Sequence, residues 1–155
     1  MAWLRETKRE LSWAFVAGFF DGEGCVDCRW QSSGSHKAGR NFRWRVKFYQ
    51  NSRELLDEIQ DFLARRGISS AVEVHSRPDR VAKGHAGSYA LAVNGFRNTV
   101  TFLTKVEPWV RIKHDEVMDA LIEAELKIEE VKARLASGET NRGNGIRAYL
   151  PEGRN

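Results

Sequence analysis

At 155 residues, with 41% hydrophobic and 30% charged residues, the chain has the length and composition of one folded domain, and no shift in composition argues for two. No apolar run approaches the ~20 residues that span a bilayer, and the charged start at Arg5, Glu6, Lys8, Arg9 and Glu10 is unlike a signal peptide, so an intracellular protein without a membrane partner is expected. The net charge of +4 is modest, but the stretch from Cys28 to Arg53 carries Arg29, Lys37, Arg40, Arg43, Arg45, Lys47 and Arg53 with no Asp or Glu, a local field suited to a polyanion.

Residues 1–10 are a polar lead-in, and Leu11 to Phe20 is predicted as the first helix. On a helix, Ala14, Ala17, Gly18 and Asp21 share one face at spacings of three, four and seven, so the face is nearly bare and another backbone can approach it. Glycine costs a helix ~1 kcal/mol relative to alanine, which gives Gly18 an expected packing purpose. The segment Asp21-Gly22-Glu23-Gly24 then ends the helix in a turn whose carboxylates and carbonyls suit a hard divalent cation.

Two strands follow. Val26, Cys28 and Trp30 alternate with Asp27, Arg29 and Gln31, and after a polar loop from Ser32 to Asn41 the second strand runs from Phe42 to Gln50. In the second strand Trp44, Val46 and Phe48 take one face and Arg43, Arg45, Lys47 and Tyr49 the other. The nearest acid on the outward face is Asp27, and nothing further along is expected to neutralise Arg29, Arg43, Arg45 and Lys47. Such a two-stranded ribbon fits the major groove of double-stranded DNA, which offers acceptors to Arg and Lys. A strand of about eight residues covers roughly 26 Å, or about eight base pairs. Cys25 and Cys28 are spaced like a metal or redox pair, but no second pair follows and the strand parity separates the sulfurs, so both are assigned to packing.

Asn51 or Ser52 can cap a second helix with Leu55, Leu56, Ile59, Phe62 and Leu63 as its apolar stripe, ended by Gly67. Val72 and Val74 alternate with Glu73 and His75 in a third strand, a basic loop with Arg77 follows, and Tyr89, Leu91 and Val93 mark a fourth. Phe96, Val100 and Leu103 begin a third helix. After Pro108 a long fourth helix carries Val117, Leu121, Ala124, Ile128, Val131 and Leu135 as a core stripe, with a coiled coil as the other use of that spacing. The acids Glu116, Asp119, Glu123, Glu125, Glu129 and Glu130 gather on it. Residues 1–136 form the expected domain, and 137–155 a tail rich in Gly, Asn and Arg.

The nine residues Val16-Ala-Gly-Phe-Phe-Asp-Gly-Glu-Gly24 resemble the LAGLIDADG motif of the homing endonuclease and maturase family, with Val16 for the leading leucine and Glu23 at the second acidic position. The resemblance implies an α+β fold in the order α-β-β-α-β-β-α-α, with an antiparallel sheet whose exposed face is basic. It also implies sequence-specific, metal-dependent cleavage of double-stranded DNA at a long, pseudo-palindromic site. Glu23 and the Gly22 carbonyl become metal ligands, Mg2+ being the expected ion, Gln50 the residue that positions the attacking water, and Lys113 the basic residue near the scissile phosphate. A further basic position just after Gln50 falls on Arg53 or Glu54. The expected DNA-binding residues are Asp27, Arg29, Gln31, Arg43, Arg45, Lys47, Tyr49, Glu73, His75 and Arg77.

One acidic motif cannot cut both strands, so a homodimer packed through Ala14, Ala17, Gly18 and Asp21 is expected, as the resemblance implies for single-motif members. An RNA-binding maturase or a cleavage-inactive DNA-binding protein are the alternatives.

Overall fold

The computed structural model describes residues 10–32, 40–75 and 87–138; the predicted tail beyond Gly138, the loop with Arg77, the loop with Lys37 and residues 1–9 lie outside them. Helix α1 spans Trp13–Glu23 and is started by Ser12, whose hydroxyl accepts the Phe15 N–H at 3.2 Å. It runs three residues past the predicted end, so Asp21, Gly22 and Glu23 form its last turn. Gly24 closes it by donating its N–H to the Phe20 carbonyl. Val16, Ala17 and Phe20 bury one face, and the Phe20 ring meets Phe48 and Phe102 edge-on.

Each of the first two predicted strands breaks in the middle. The first becomes β1 (Gly24–Val26) and β2 (Arg29–Ser32), the second β3 (Arg40–Arg43) and β4 (Arg45–Gln50). β1 pairs with β4, whereas β2 pairs only with β3. The cause is a second, smaller core: Trp44 packs with Phe96 and Ala124, against which Cys28 and Phe42 also lean. The hairpin therefore bends away from the main sheet at Cys28 and Trp44. Trp30, placed by alternation on the inner side, is 62% exposed instead, resting its edge on Phe42.

Helix α2 (Arg53–Ala64) is capped by Ser52 and buries Leu56, Ile59, Phe62 and Leu63. It is followed by β5 (Ala71–Val74) and β6 (Tyr89–Asn94), then α3 (Phe96–Val106) and α4 (His114–Ala136). The main sheet has the order β1-β4-β6-β5 and is antiparallel throughout. Val46, Phe48, Leu91 and Val93 point from its centre into the helices and are fully buried. On α4, Val117, Ala124 and Val131 are buried as predicted and Leu121 and Ile128 half-buried, while Leu135 is 37% exposed, so most of the stripe serves the domain's own cores. No helix among the described residues is long and apolar enough to cross a membrane. The opposite face of the sheet is left open, and α1 runs down into its first strand.

Gly24 is where the helix meets the sheet. A Cβ there would lie 2.1 Å from Phe20 Cδ2 and 2.5 Å from the Phe20 carbonyl oxygen, so any side chain forces the helix end away from β1. Gly24→Ala is expected to destabilise the fold by about 1–3 kcal/mol, the usual cost of overpacking, measured as a lower urea midpoint at unchanged slope.

Candidate active site and nucleic-acid interface

The lower end of α1 is fastened by a carboxylate. Asp21 Oδ2 accepts the N–H groups of Arg111 at 2.9 Å and Ile112 at 3.0 Å, Oδ1 accepts that of Lys113 at 2.9 Å, and the Lys113 ammonium donates to the Asp21 main-chain oxygen at 2.5 Å. Lys113 is the residue that starts α4, so the carboxylate also sits where a helix N-terminus favours an anion. Burial by itself raises the Asp21 pKa, but the three backbone N–H groups and the Lys113 charge outweigh it and hold the carboxyl below its ordinary value.

This arrangement corrects the predicted bare face. Asp21 is only 8% exposed and Ala17 fully buried, both against the protein's own interior. At 100° per residue, Ala17 and Asp21 fall beside Val16 and Phe20 on the core side. The outward stripe is Ala14, Gly18 and Gly22, flanked by the 45% exposed Phe15. A Cβ at Gly18 or Gly22 would meet nothing within 4 Å, so the packing purpose expected for Gly18 is not found inside this chain.

Two residues beyond the Asp21 lock, Glu23 is exposed and makes no hydrogen bond or ion pair among the described residues. The Gly22 carbonyl belongs to the last helical turn, whose acceptors have no intrahelical donor, and the negative end of the helix dipole favours a cation there. Among the described residues no cluster of three or more His, Cys, Asp and Glu side chains can hold a metal. One free carboxylate beside free carbonyls matches what magnesium takes from a protein, because that ion keeps several waters. Gln50 is two residues past the Gly24–Phe48 pair, at the end of β4 from which α1 departs. Its Oε1 accepts the Asn51 N–H at 2.8 Å, which leaves the amide N–H groups to donate. Glu23, Lys113 and Gln50 thus gather at one end of the sheet. The Cys28 thiol, pushed up to about 11 chiefly by burial, leans on the small core, as the packing assignment expects, whereas Cys25 is exposed and does not fit that assignment.

On the open face the strand parity holds but the charge does not stand free. Asp27 accepts Arg43 Nη1 at 3.0 Å, Arg45 Nε at 2.9 Å and also Arg45 Nη2, and forms an ion pair with Arg29 Nε at 2.9 Å. Lys47 pairs with Glu73 at 3.0 Å. The expectation that nothing beyond Asp27 neutralises these cations fails at Lys47, because Glu73 arrives from a strand remote in sequence, while Asp27, the nearest acid, pairs with all three arginines. Burial works to raise the Asp27 pKa, and the hydrogen bonds and charges of the arginines more than offset it. Tyr49 and His75 lie ring against ring at 4.9 Å on this face, Gln31 lies out on β2 opposite Asn41, and Arg77 is outside the described residues. Arg111 and Ile112, which contribute only backbone N–H groups, were missed, because a main-chain donor leaves no mark on residue type. Asp21 could have been found, since it follows Ala17 by four and Phe20 by one.

The model of the LAGLIDADG-like domain matches residues 10–107. The solved structure of the homing endonuclease I-TnaI has a TM-score of 0.57 at 20% identity, covering 90% of this chain and 95% of that one. The homing endonuclease I-CvuI, crystallised with a DNA target in the presence of magnesium, gives 0.56 at 20% identity over 89% and 91%. The meganuclease I-SmaMI, bound to DNA, gives 0.58 at 19% identity over 92% of this chain but only 46% of its own. No match was found among the curated proteins.

Asp21→Asn is expected to cost about 1–3 kcal/mol at neutral pH, because a charged acceptor of three N–H groups becomes a neutral one. A carboxyl held below its usual value stabilises the fold fully above about pH 4 and loses that contribution as pH falls through the lower folded value. Thermal melting between pH 7 and pH 2 should therefore fall more steeply for the native protein than for Asp21→Asn.

Proposed function

Since the chain belongs to the family of LAGLIDADG-like domains, we propose that it is a divalent-metal-dependent DNA endonuclease, acting as a homodimer on a long site with approximate two-fold symmetry. The observation that carries this reading is Glu23 at the end of α1, unpaired among the described residues, in the same helical turn as the Asp21 carbonyl that holds the ammonium of Lys113. Glu23 and the Gly22 carbonyl would hold the metal. When bound, a divalent ion supplies charge stabilisation at phosphorus and a more acidic water.

The protein's own groups do the rest. Lys113 has three ammonium donors and gives one to the Asp21 carbonyl, so two remain for a phosphate oxygen. Gln50, its carbonyl already engaged by Asn51, offers its amide N–H groups to hold a water on the approach to phosphorus. The polar open face of the sheet supports DNA binding, with Arg29, Arg43, Arg45, Gln31, Tyr49 and His75 as the long side chains available to phosphates and base edges. Only one such acid is carried by each chain, and cutting two strands takes two. The exposed Ala14, Gly18 and Gly22 support a helix-to-helix contact across the two-fold axis, since two glycines weaken α1 without gaining a contact inside the chain. The relatives of similar length, I-TnaI and I-CvuI, are named homing endonucleases, which supports the same activity here.

Glu23→Gln should lower magnesium-dependent cleavage by at least about 100-fold, because even the loss of a partner behind a metal ligand costs 10–100-fold, with DNA binding largely retained. Native-rate cleavage by Glu23→Gln would place the metal elsewhere. Sedimentation should give a dimer for the native chain and a monomer for Gly18→Leu; a native monomer both with and without DNA would rule out the symmetric assembly.

A further inference from the structure

Resting on the reading of the open sheet as a DNA-facing surface, we propose that Asp27 is a positioning residue that touches no base itself and presents the guanidinium of Arg45 to a guanine in the major groove. Asp27 is marked by sequence as one member of a polar, outward row. Its surroundings give it a different part. Its side chain is only 12% exposed, and Oδ2 takes three donors, Arg43 Nη1, Arg45 Nε and Arg45 Nη2, while Oδ1 stands in an ion pair with Arg29 Nε at 2.9 Å. With three guanidinium groups around it and so little of it exposed, the carboxylate is turned to the protein's own cations and not to the amino group of a cytosine.

The arginines keep the donors that Asp27 does not use. Arg45 gives Asp27 the edge formed by Nε and Nη2, and the edge formed by Nη1 and the second N–H of Nη2 remains. Two parallel donors of that kind match the O6 and N7 acceptors of guanine. The backbone fixes the pair as well, because the Asp27 N–H donates to the Arg45 carbonyl at 2.8 Å across the bend of the hairpin. Arg29 gives only Nε and is 70% exposed, which leaves it long and loose enough to follow a phosphate. It stands directly opposite Arg43 across β2 and β3, a like-charge pairing that would push both side chains apart. Asp27 lies between them and offsets that repulsion. The carboxylate orders three cations into a fan in advance of binding, with Arg45 the most constrained.

The test is a selection from randomised duplexes in calcium, sequenced for the native protein, Asp27→Asn, Arg45→Met and the double variant. The native chain should enrich a guanine at one position in each half-site. Asp27→Asn and Arg45→Met should each lose about tenfold or more of that preference at the same position, and the double variant should lose no more than either alone. Asp27→Asn should also bind unrelated duplex more tightly, with a steeper salt dependence, because a negative charge has left the face. Urea unfolding of each variant separates positioning from folding: a purely structural role would lower preference at every position in step with stability, and that result would overturn the proposal. So would a guanine preference that survives Asp27→Asn. A native protein that selects a site with no guanine assigned to Arg45 would overturn the role of Asp27 and leave the DNA reading standing, whereas one that selects no sequence would overturn both.

Discussion

Everything at the candidate site depends on the Asp21 carboxylate gripping three successive backbone N–H groups at the start of α4. Asp21 and Lys113 are 92 positions apart in the chain, and nothing local holds them together. Charge-assisted hydrogen bonds contribute about 1.5–3 kcal/mol each, so three of them can fix the approach of two helices against the chain entropy of a long connection. The same carboxylate fixes the position of Lys113, whose ammonium then falls on the Asp21 carbonyl. Two acids separated by one glycine thus divide the work. Asp21 is spent on the fold, and Glu23 is left exposed.

A second division concerns the two faces of the sheet. Towards the helices, Phe48, Phe20 and Phe102 meet one another edge-on, with centroids 5.2–5.5 Å apart. On the open side the charges are arranged in pairs. Lys47 on β4 stands opposite Ala92 and Glu73 on β5 stands opposite Ala90, so their ion pair crosses the intervening strand β6. Ala90 and Ala92 face outward yet are fully buried, because their small side chains let the flanking long ones close over them. The surface is ordered more than it is basic. Ordered donors lose less rotamer freedom when a polyanion arrives, which favours discrimination over bare attraction.

The bend in the first hairpin links these two features. Trp44 and Phe42 turn down onto Phe96 and Ala124, the pairing shifts at Cys28, and the Asp27 carboxylate meets the guanidinium groups of Arg43 and Arg45. A small aromatic core on one side of the ribbon thereby sets the electrostatics of the other.

The sequence alone determined the order of helices and strands apart from the break in each of the first two strands, together with the strand parity from Arg43 to Tyr49, most of the aromatic and aliphatic core, and the nine-residue motif that joins helix to strand. Those features are set by neighbours three, four or two residues away, which is the range over which periodicity carries information. It placed Glu23, Gln50 and Lys113 in a shared role by resemblance, and the fold brings the three to one end of the sheet. Only the tertiary structure decided that Asp21 and Ala17 turn inward, that the outward helix stripe is Ala14, Gly18 and Gly22, and that Arg29, Arg43, Arg45 and Lys47 are already paired. Each of those outcomes rests on a partner far away in the chain: backbone N–H groups at 111–113, Glu73 from another strand, a hairpin bent by Phe96 and Ala124. A pattern of residue types records what a side chain prefers, and such long-range partners decide which preference is met.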